Sequence, residues 1–173
     1  MYIDYHDHKW EVPVHDDRHL FEMLCLEGAQ AGLSWYTILQ CRNEDCKAFK
    51  NFDSSTCTKL TDAQLEKILA NDRIIRNRVK VWSVRKNAQV SLKIQKGFGS
   101  FDAYLWCSVG RKPKVTFPCK HTTTTAESDA ISKDLKKRGM SFVGSIIIYT
   151  YMQVIGLVND HITGCSLALR ARS

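Results

Sequence analysis

A carboxylate and an indole open the chemical reading of this chain. In the string LEGAQAGLSW (residues 26–35), Glu27 shares a helical face with Leu20 and Leu24, so its side chain points toward the apolar interior. Burying a carboxylate is costly unless it is paired or hydrogen-bonded. A cationic or donor-rich ligand in a pocket would satisfy it; so would a structural arginine or a set of backbone donors. Trp35 follows a turn and could wall such a pocket, or simply belong to the core. A second group lies at the two ends of the chain. His161 and Cys165 are an i, i+4 pair at zinc-ligand spacing, equally readable as a core histidine beside a buried thiol. His6 and His8 sit in an aromatic-rich N-terminal segment with Tyr2, Tyr5 and Trp10.

A third group is electrostatic. Residues 69–80 read as a tight break between two helices, followed by Arg76, Arg78 and Lys80. Unpaired N–H groups at the start of the second helix, with the positive end of its dipole and nearby cations, suit a DNA phosphate with no base being read. This pattern describes a helix-hairpin-helix; a plain helical hairpin with a solvated basic face has the same appearance. The whole chain carries 25 Lys+Arg against 18 Asp+Glu, net +7, with a pI near 9.1, which favours polyanionic partners.

The elements that must hold these groups are helical. Asp16 or Asp17 is placed to cap a helix from about residue 19 to 30, with Gly32 to end it. Ser34 can cap a second helix, residues 35–49, that turns Ile38, Leu39 and Phe49 inward. Thr61 and Gln64 form a capping box for a helix through Leu65, Ile68 and Leu69. A long helix follows, with Val81, Val84, Ala88 and Leu92 as its stripe, and residues 101–106 predict a short one. Residues 110–125 form a surface loop. Thr124 and Glu127 suggest another capping box, for a helix that stops at Gly139. The last helix, residues 145–158, is apolar nearly all round, as a buried helix would be. Strand signals are nearly absent, so the class is all-α.

At 173 residues and 19.8 kDa, with 44% hydrophobic and 25% charged residues, the chain suits one globular domain and excludes wholesale disorder. No apolar run suggests a membrane span, and the polar start is no signal peptide, so a soluble, cytoplasmic protein is expected, and a monomer. The seven cysteines are odd in number and irregular in spacing, with no CxxC pair, which disfavours a disulfide framework and fits a reducing compartment.

Taken in order, YHDHKW (5–10), LFEMLCLEGAQAGLSW (20–35), IIRNR (74–78), SKDLKKRG (132–139), FVG (142–144) and GLVNDH (156–161) with Cys165 resemble the 3-methyladenine DNA glycosylase I family. The family is an all-α branch of the helix-hairpin-helix glycosylases. The resemblance implies one glycosylase domain over residues 1–173, with the hairpin at about 61–92 and the terminal segments 1–17 and 159–173 packed together. It implies an enzyme of base excision repair that hydrolyses the N-glycosidic bond of N3-methyladenine. Its partners would be double-stranded DNA containing alkylated adenine and the 3-methyladenine free base, with no membrane. A glycosylase for another alkylated purine, or a catalytically impaired DNA-binding homologue, are the alternatives.

By the same carry-over Glu27, Tyr5 and Trp35 form the base site, and Tyr2, Trp10 and Thr150 are further lining candidates. Gly32 and Leu33 form the wedge turn, and Arg73, Arg76, Arg78 and Lys80 contact DNA. His6, His161 and Cys165 match three of the ligands of the family's structural zinc; its N-terminal cysteine ligand has no counterpart here. Two departures stand out. Arg73 and Val79 replace glycines common in the hairpin, and the family's EWG reads KWE at residues 9–11.

Overall fold

In the computed structural model, residues 5–6, 8–115 and 122–161 are described. Helices dominate: α1 (Asp17–Gln30), α2 (Trp35–Ala48), a 3-10 turn (Lys50–Phe52), α3 (Ser54–Cys57), α4 (Asp62–Leu69), α5 (Arg78–Phe98), α6 (Phe101–Cys107), α7 (Ala126–Arg138) and α8 (Ser145–Val154). Two short parallel strands, β1 (Lys114–Val115) and β2 (Val158–Asn159), are a small addition to the expected all-α class. No helix among the described residues is long and apolar enough to cross a membrane. Cys25, Cys41, Cys46, Cys57 and Cys107 are free thiols; Cys119 and Cys165 lie outside the described residues.

The caps explain most of the boundaries. Asp16 accepts from the His19 N–H at 2.8 Å and Ser34 from Thr37 at 3.2 Å, each satisfying an orphan donor of a first turn. Thr61 and Gln64 close the capping box of α4. The α7 box differs from expectation by one residue: Thr125 pairs with Ser128, not Thr124 with Glu127, because Ser128 supplies an equivalent acceptor and is fully buried. On α5, Val81, Val84 and Ala88 are buried as expected, but the seam continues through Ser91 and Ile94, leaving Leu92 half-buried at its edge. The last helix also ends earlier than expected, at Val154, and Val158 enters β2. It is not buried all round, since Ile146 is 60% exposed.

Helix α1 is the axis of the molecule. Leu20, Phe21, Met23, Leu24 and Leu26 are essentially inaccessible to solvent, and the helix packs on α2, α5, α6 and α8. Buried polar contacts fix its neighbours. The Tyr151 hydroxyl donates to the Leu20 carbonyl at 2.9 Å, and Asp17 accepts from the backbone N–H groups of Phe101 and Asp102, holding α6 end-on. Arg42 on α2 pairs at 2.8 Å with Glu22, a carboxylate only 4% exposed.

The segment before α1 is pinned to the end of α8. Val14 donates to the Ile155 carbonyl at 3.0 Å, and its own carbonyl accepts from the Trp106 indole at 3.0 Å. Gly156, at φ +72°, stops α8 and lets the two backbones touch: a Cβ there would stand 2.5 Å from the Pro13 nitrogen. A left-handed conformation and a backbone contact both exclude a side chain. Gly156→Ala is therefore expected to lower stability by more than about 2 kcal/mol, read as a fall in the urea midpoint with little change in slope. A midpoint equal to that of the wild-type chain would contradict this packing.

Candidate functional site

Glu27 lies on the inward face of α1 and is 0% exposed. Among the described residues, neither of its carboxyl oxygens has a hydrogen-bond partner. Among the described residues neither structural solution is present: no arginine pairs with Glu27, Arg42 being paired with Glu22 on the same helix, and no backbone donor hydrogen-bonds to it. Burial pushes its pKa up to about 8, with desolvation the sole cause. The carboxyl is thus neutral at pH 7 and poised to ionise against a cation. Next to it, Gly28 lets α1 approach the 139–144 loop, since a Cβ would sit 3.0 Å from that of Phe142.

Trp35 opens α2, just past the turn that ends α1, and is 8% exposed with an indole N–H that has no acceptor among the described residues. Its ring lies 5.6 Å from that of Tyr5, which in turn lies 6.3 Å from that of Trp10 in an edge-on arrangement. Tyr5 is 5% exposed and is packed against the start of α2. The structure thus brings Tyr5, Trp10 and Trp35 into one aromatic group. Thr150 is on α8, and its hydroxyl donates within that helix to the Ile146 carbonyl at 3.0 Å. Tyr2 lies outside the described residues.

The turn between α1 and α2 is exposed. Gly32 has φ +80° with open space around a would-be Cβ, so the backbone conformation alone calls for glycine. Leu33 is 39% exposed beside it, and Tyr36, which follows the buried Trp35, is 51% exposed. Sequence reasoning passed over Tyr36; an aromatic one residue after a buried tryptophan at a helix start must face outward, and that was the available signal.

The α4–α5 hairpin turns through residues 70–77. Ile74 anchors it in the core, the Asn71 side chain accepts from the Arg73 N–H, and Asn77 caps α5. Arg73 and Arg76 are exposed on the turn. Arg78 is also exposed, but its guanidinium pairs with Glu66 and lies 4.4 Å over the Trp82 ring. Lys80 departs from the expected DNA-facing role. Its ammonium donates to the carbonyls of Ala29 and Ala31, each at 2.7 Å, and burial lowers its pKa. It closes the C-terminus of α1 and fastens the hairpin to it, because the last carbonyls of a helix are strong acceptors left without partners.

At the other end, the His6 and His161 rings meet edge-on, 5.4 Å between centroids. His161 is 8% exposed; its Nδ1 is 2.5 Å from Glu11 Oε2 and 3.1 Å from Asn159 Oδ1, while Nε2 is buried without a partner among the described residues. Cys165 lies outside the described residues, and no cluster of three metal-ligating side chains occurs within them. Sequence reasoning missed Asn159, only two residues from the ring, and Glu11, which meets the ring only once the two ends of the chain are folded together.

Residues 1–168 match the model of the family described as methyladenine glycosylase. The chain is 42% identical over 168 residues to the DNA-3-methyladenine glycosylase 1 of Escherichia coli (strain K12), covering 95% of this chain and 90% of that one. A crystal structure of a 3-methyladenine DNA glycosylase I superposes with a TM-score of 0.91 at 45% identity, covering 95% and 92% of the two chains. The 3-methyladenine DNA glycosylase I of Staphylococcus aureus, studied for the structural basis of 3-methyladenine recognition, gives 0.92 at 33% identity, covering 95% and 89%.

The unpaired carboxyl has a measurable signature. Between the usual 4.5 and about 8, the folded chain keeps a proton on Glu27 that the unfolded chain has released, so stability falls as pH rises through that window. Glu27→Gln removes this loss. At pH 8 the variant should be more stable than wild type by a few kcal/mol, at about 1.4 kcal/mol for each tenfold difference in proton affinity between the folded and unfolded chains. The gain should vanish near pH 4. Chemical denaturation at the two pH values measures it; an equal or negative difference at pH 8 would rule out the unpaired state.

Proposed function

This chain belongs to the methyladenine glycosylase family, and we propose that it removes N3-methyladenine from double-stranded DNA, acting as a monomer. It is a DNA glycosylase that hydrolyses the N-glycosidic bond, releasing the base and leaving an abasic site. The observation that carries the residue assignment is Glu27, a buried carboxyl with no partner of its own among the described residues.

The chemistry asks little of an acid catalyst. A base methylated at N3 is cationic in DNA, so when its bond to the sugar breaks the departing electron pair neutralises it. Water then adds to the sugar carbon and loses a proton to solvent. The enzyme's task is to extrude the cationic base and hold it until the bond breaks. Glu27 accepts from the exocyclic amine and, in ionising, complements the positive charge. Trp35 offers a cation–π face worth roughly 0.5–2 kcal/mol in a desolvated site. Tyr5 supplies a second polar contact, with Trp10 as part of the same aromatic wall. Leu33, exposed on the Gly32 turn, enters the space vacated by the nucleotide, as apolar wedges do at unstacked steps.

The α4–α5 hairpin serves as the helix-hairpin-helix, and Arg73 and Arg76 contact phosphate. Lys80 acts through the backbone of α1 instead. The residues of the terminal segments also suit a structural zinc. The buried Nε2 of His161, without a partner among the described residues and beside the His6 ring, is an atom suited to a metal, and Cys165 would join them. When bound, the metal would supply a cross-link, not chemistry; these histidines fasten the segment that carries Tyr5.

Two experiments test this reading. Purified chain incubated with methylated duplex should release 3-methyladenine, with kcat/KM rising with pH and levelling above about 8 as Glu27 ionises. Glu27→Gln should lower kcat/KM roughly ten- to a hundredfold, the loss of one charge-assisted hydrogen bond, and should flatten that limb. An unaffected variant would remove Glu27 from the site, and faster release of another alkylated purine would reassign the substrate. Second, binding to undamaged duplex should weaken with salt at about −0.9 in log–log slope per phosphate contact. Arg73→Ala and Arg76→Ala should each reduce the slope by about one. Lys80→Met should lower the melting temperature and leave the slope unchanged; the reverse pattern would overturn the division of roles.

A further inference from the structure

We propose that Asn87 is a positioning residue for the base site: its side-chain amide clamps the backbone of Ser141 and thereby sets Phe142 against Gly28, as a wall beside Glu27. The inference rests on the reading of Glu27 as the base-binding carboxyl; the clamp itself rests on the geometry of α5 and the 139–144 loop.

Asn87 lies on α5 and is 3% exposed, and both ends of its amide are spent on one residue. Nδ2 donates to the Ser141 carbonyl at 3.0 Å, and Oδ1 accepts from the Ser141 N–H at 2.9 Å. The side chain thus pairs with the loop as one strand residue pairs with another, and supplies partners that an irregular segment does not find in a ladder of its own. Lys86, the preceding residue, donates to the Ser141 hydroxyl at 3.0 Å. Beyond Phe142, the Val143 carbonyl accepts from the buried Ser132 hydroxyl at 2.6 Å.

Phe142 is therefore gripped on both sides. Its φ is +58°, in the left-handed region that disfavours a residue with a Cβ, and such a conformation persists where the surroundings impose it. The result is a close approach to α1. A Cβ on Gly28 would stand 3.0 Å from the Phe142 Cβ and 3.4 Å from its carbonyl oxygen. Gly28 follows Glu27 directly, so the loop stands over the helical turn that carries the unpaired carboxyl. The same helix governs the other side of that turn. Lys80 and Asn87, at i and i+7, share a face of α5. Lys80 holds the carbonyls of Ala29 and Ala31, while Asn87 holds the loop. The gap between α1 and the loop is thus set from one element, and a base held against Glu27 is oriented by that gap.

The test uses the full chain and two readouts: release of 3-methyladenine from methylated duplex at about pH 8, and the midpoint of the Glu27 carboxyl resonance in ¹³C-labelled, DNA-free protein. In Asn87→Ala, kcat should fall roughly ten- to a hundredfold, while KM for the duplex, set by phosphate contacts, stays within about twofold. With the loop released, water reaches Glu27, and its midpoint should drop from about 8 to below about 7. Gly28→Ala displaces the loop from the other side yet favours the helix, so it should fold and reproduce both changes; it decides the matter if Asn87→Ala does not fold. Wild-type kcat and midpoint in either folded variant would overturn the proposal, whatever the change in melting temperature. If no chain releases 3-methyladenine but the midpoints shift as stated, the positioning role stands and the substrate reading falls.

Discussion

A carboxyl group kept out of water, with no partner among the described residues, is the constraint around which this molecule is arranged. Glu27 is 0% exposed and its oxygens have no partner among the described residues. Proteins rarely leave such a group in a core, because its desolvation is uncompensated in the ionised form and its hydrogen-bonding capacity unused in the neutral one. The neighbouring carboxylate on the same helix makes the contrast. Glu22, at 4% exposure, has Arg42 at 2.8 Å and behaves as an ordinary buried ion pair. A cation that arrives at Glu27 recovers in binding what folding left unsatisfied. On the proposed assignment, selectivity for a positively charged base would follow from that balance, since a neutral purine offers no charge to draw the proton off.

The rest of the fold keeps the carboxyl, the aromatic group and the hairpin turn in one frame. Lys80 is the joint between them. By donating to Ala29 and Ala31 it binds the start of α5 to the end of α1, immediately after Glu27 and before the Gly32–Leu33 turn. The hairpin turn and the end of the helix that carries Glu27 are thereby joined through a direct connection, the kind of support on which a positioned site depends. Tyr5 has a comparable attachment at the opposite side. The Gly156 contact with Pro13 and the hydrogen bond from Val14 to Ile155 fix the chain that leads from Tyr5 into α1.

Much of this was legible in the sequence where local rules govern. Asp16, Ser34 and Thr61 announce their helices because a short polar side chain can satisfy the first free N–H groups. The inward face carrying Leu20, Leu24 and Glu27 follows from helical period alone. Non-local contacts were not legible. Nothing in the spacing of Arg76, Arg78 and Lys80 distinguishes a lysine that faces DNA from one that closes another helix. The early end of α8 depends on Gly156 meeting the backbone of residues 12–13, which lie at the far end of the chain. Glu11 is the clearest case: its carboxyl lies beside the His161 ring across nearly the whole sequence, and no local rule foretells its left-handed φ of +55°.

The most direct test of the central claim is the ionisation of Glu27 itself. With ¹³C label in the glutamate side chains, the carboxyl resonance of Glu27, assigned by its loss in Glu27→Gln, can be followed across the pH range in the DNA-free protein. A midpoint near 8 is predicted, set by desolvation with no compensating partner. A midpoint near the ordinary 4.5 would show that solvent or a cationic side chain already satisfies the group, and would contradict the account.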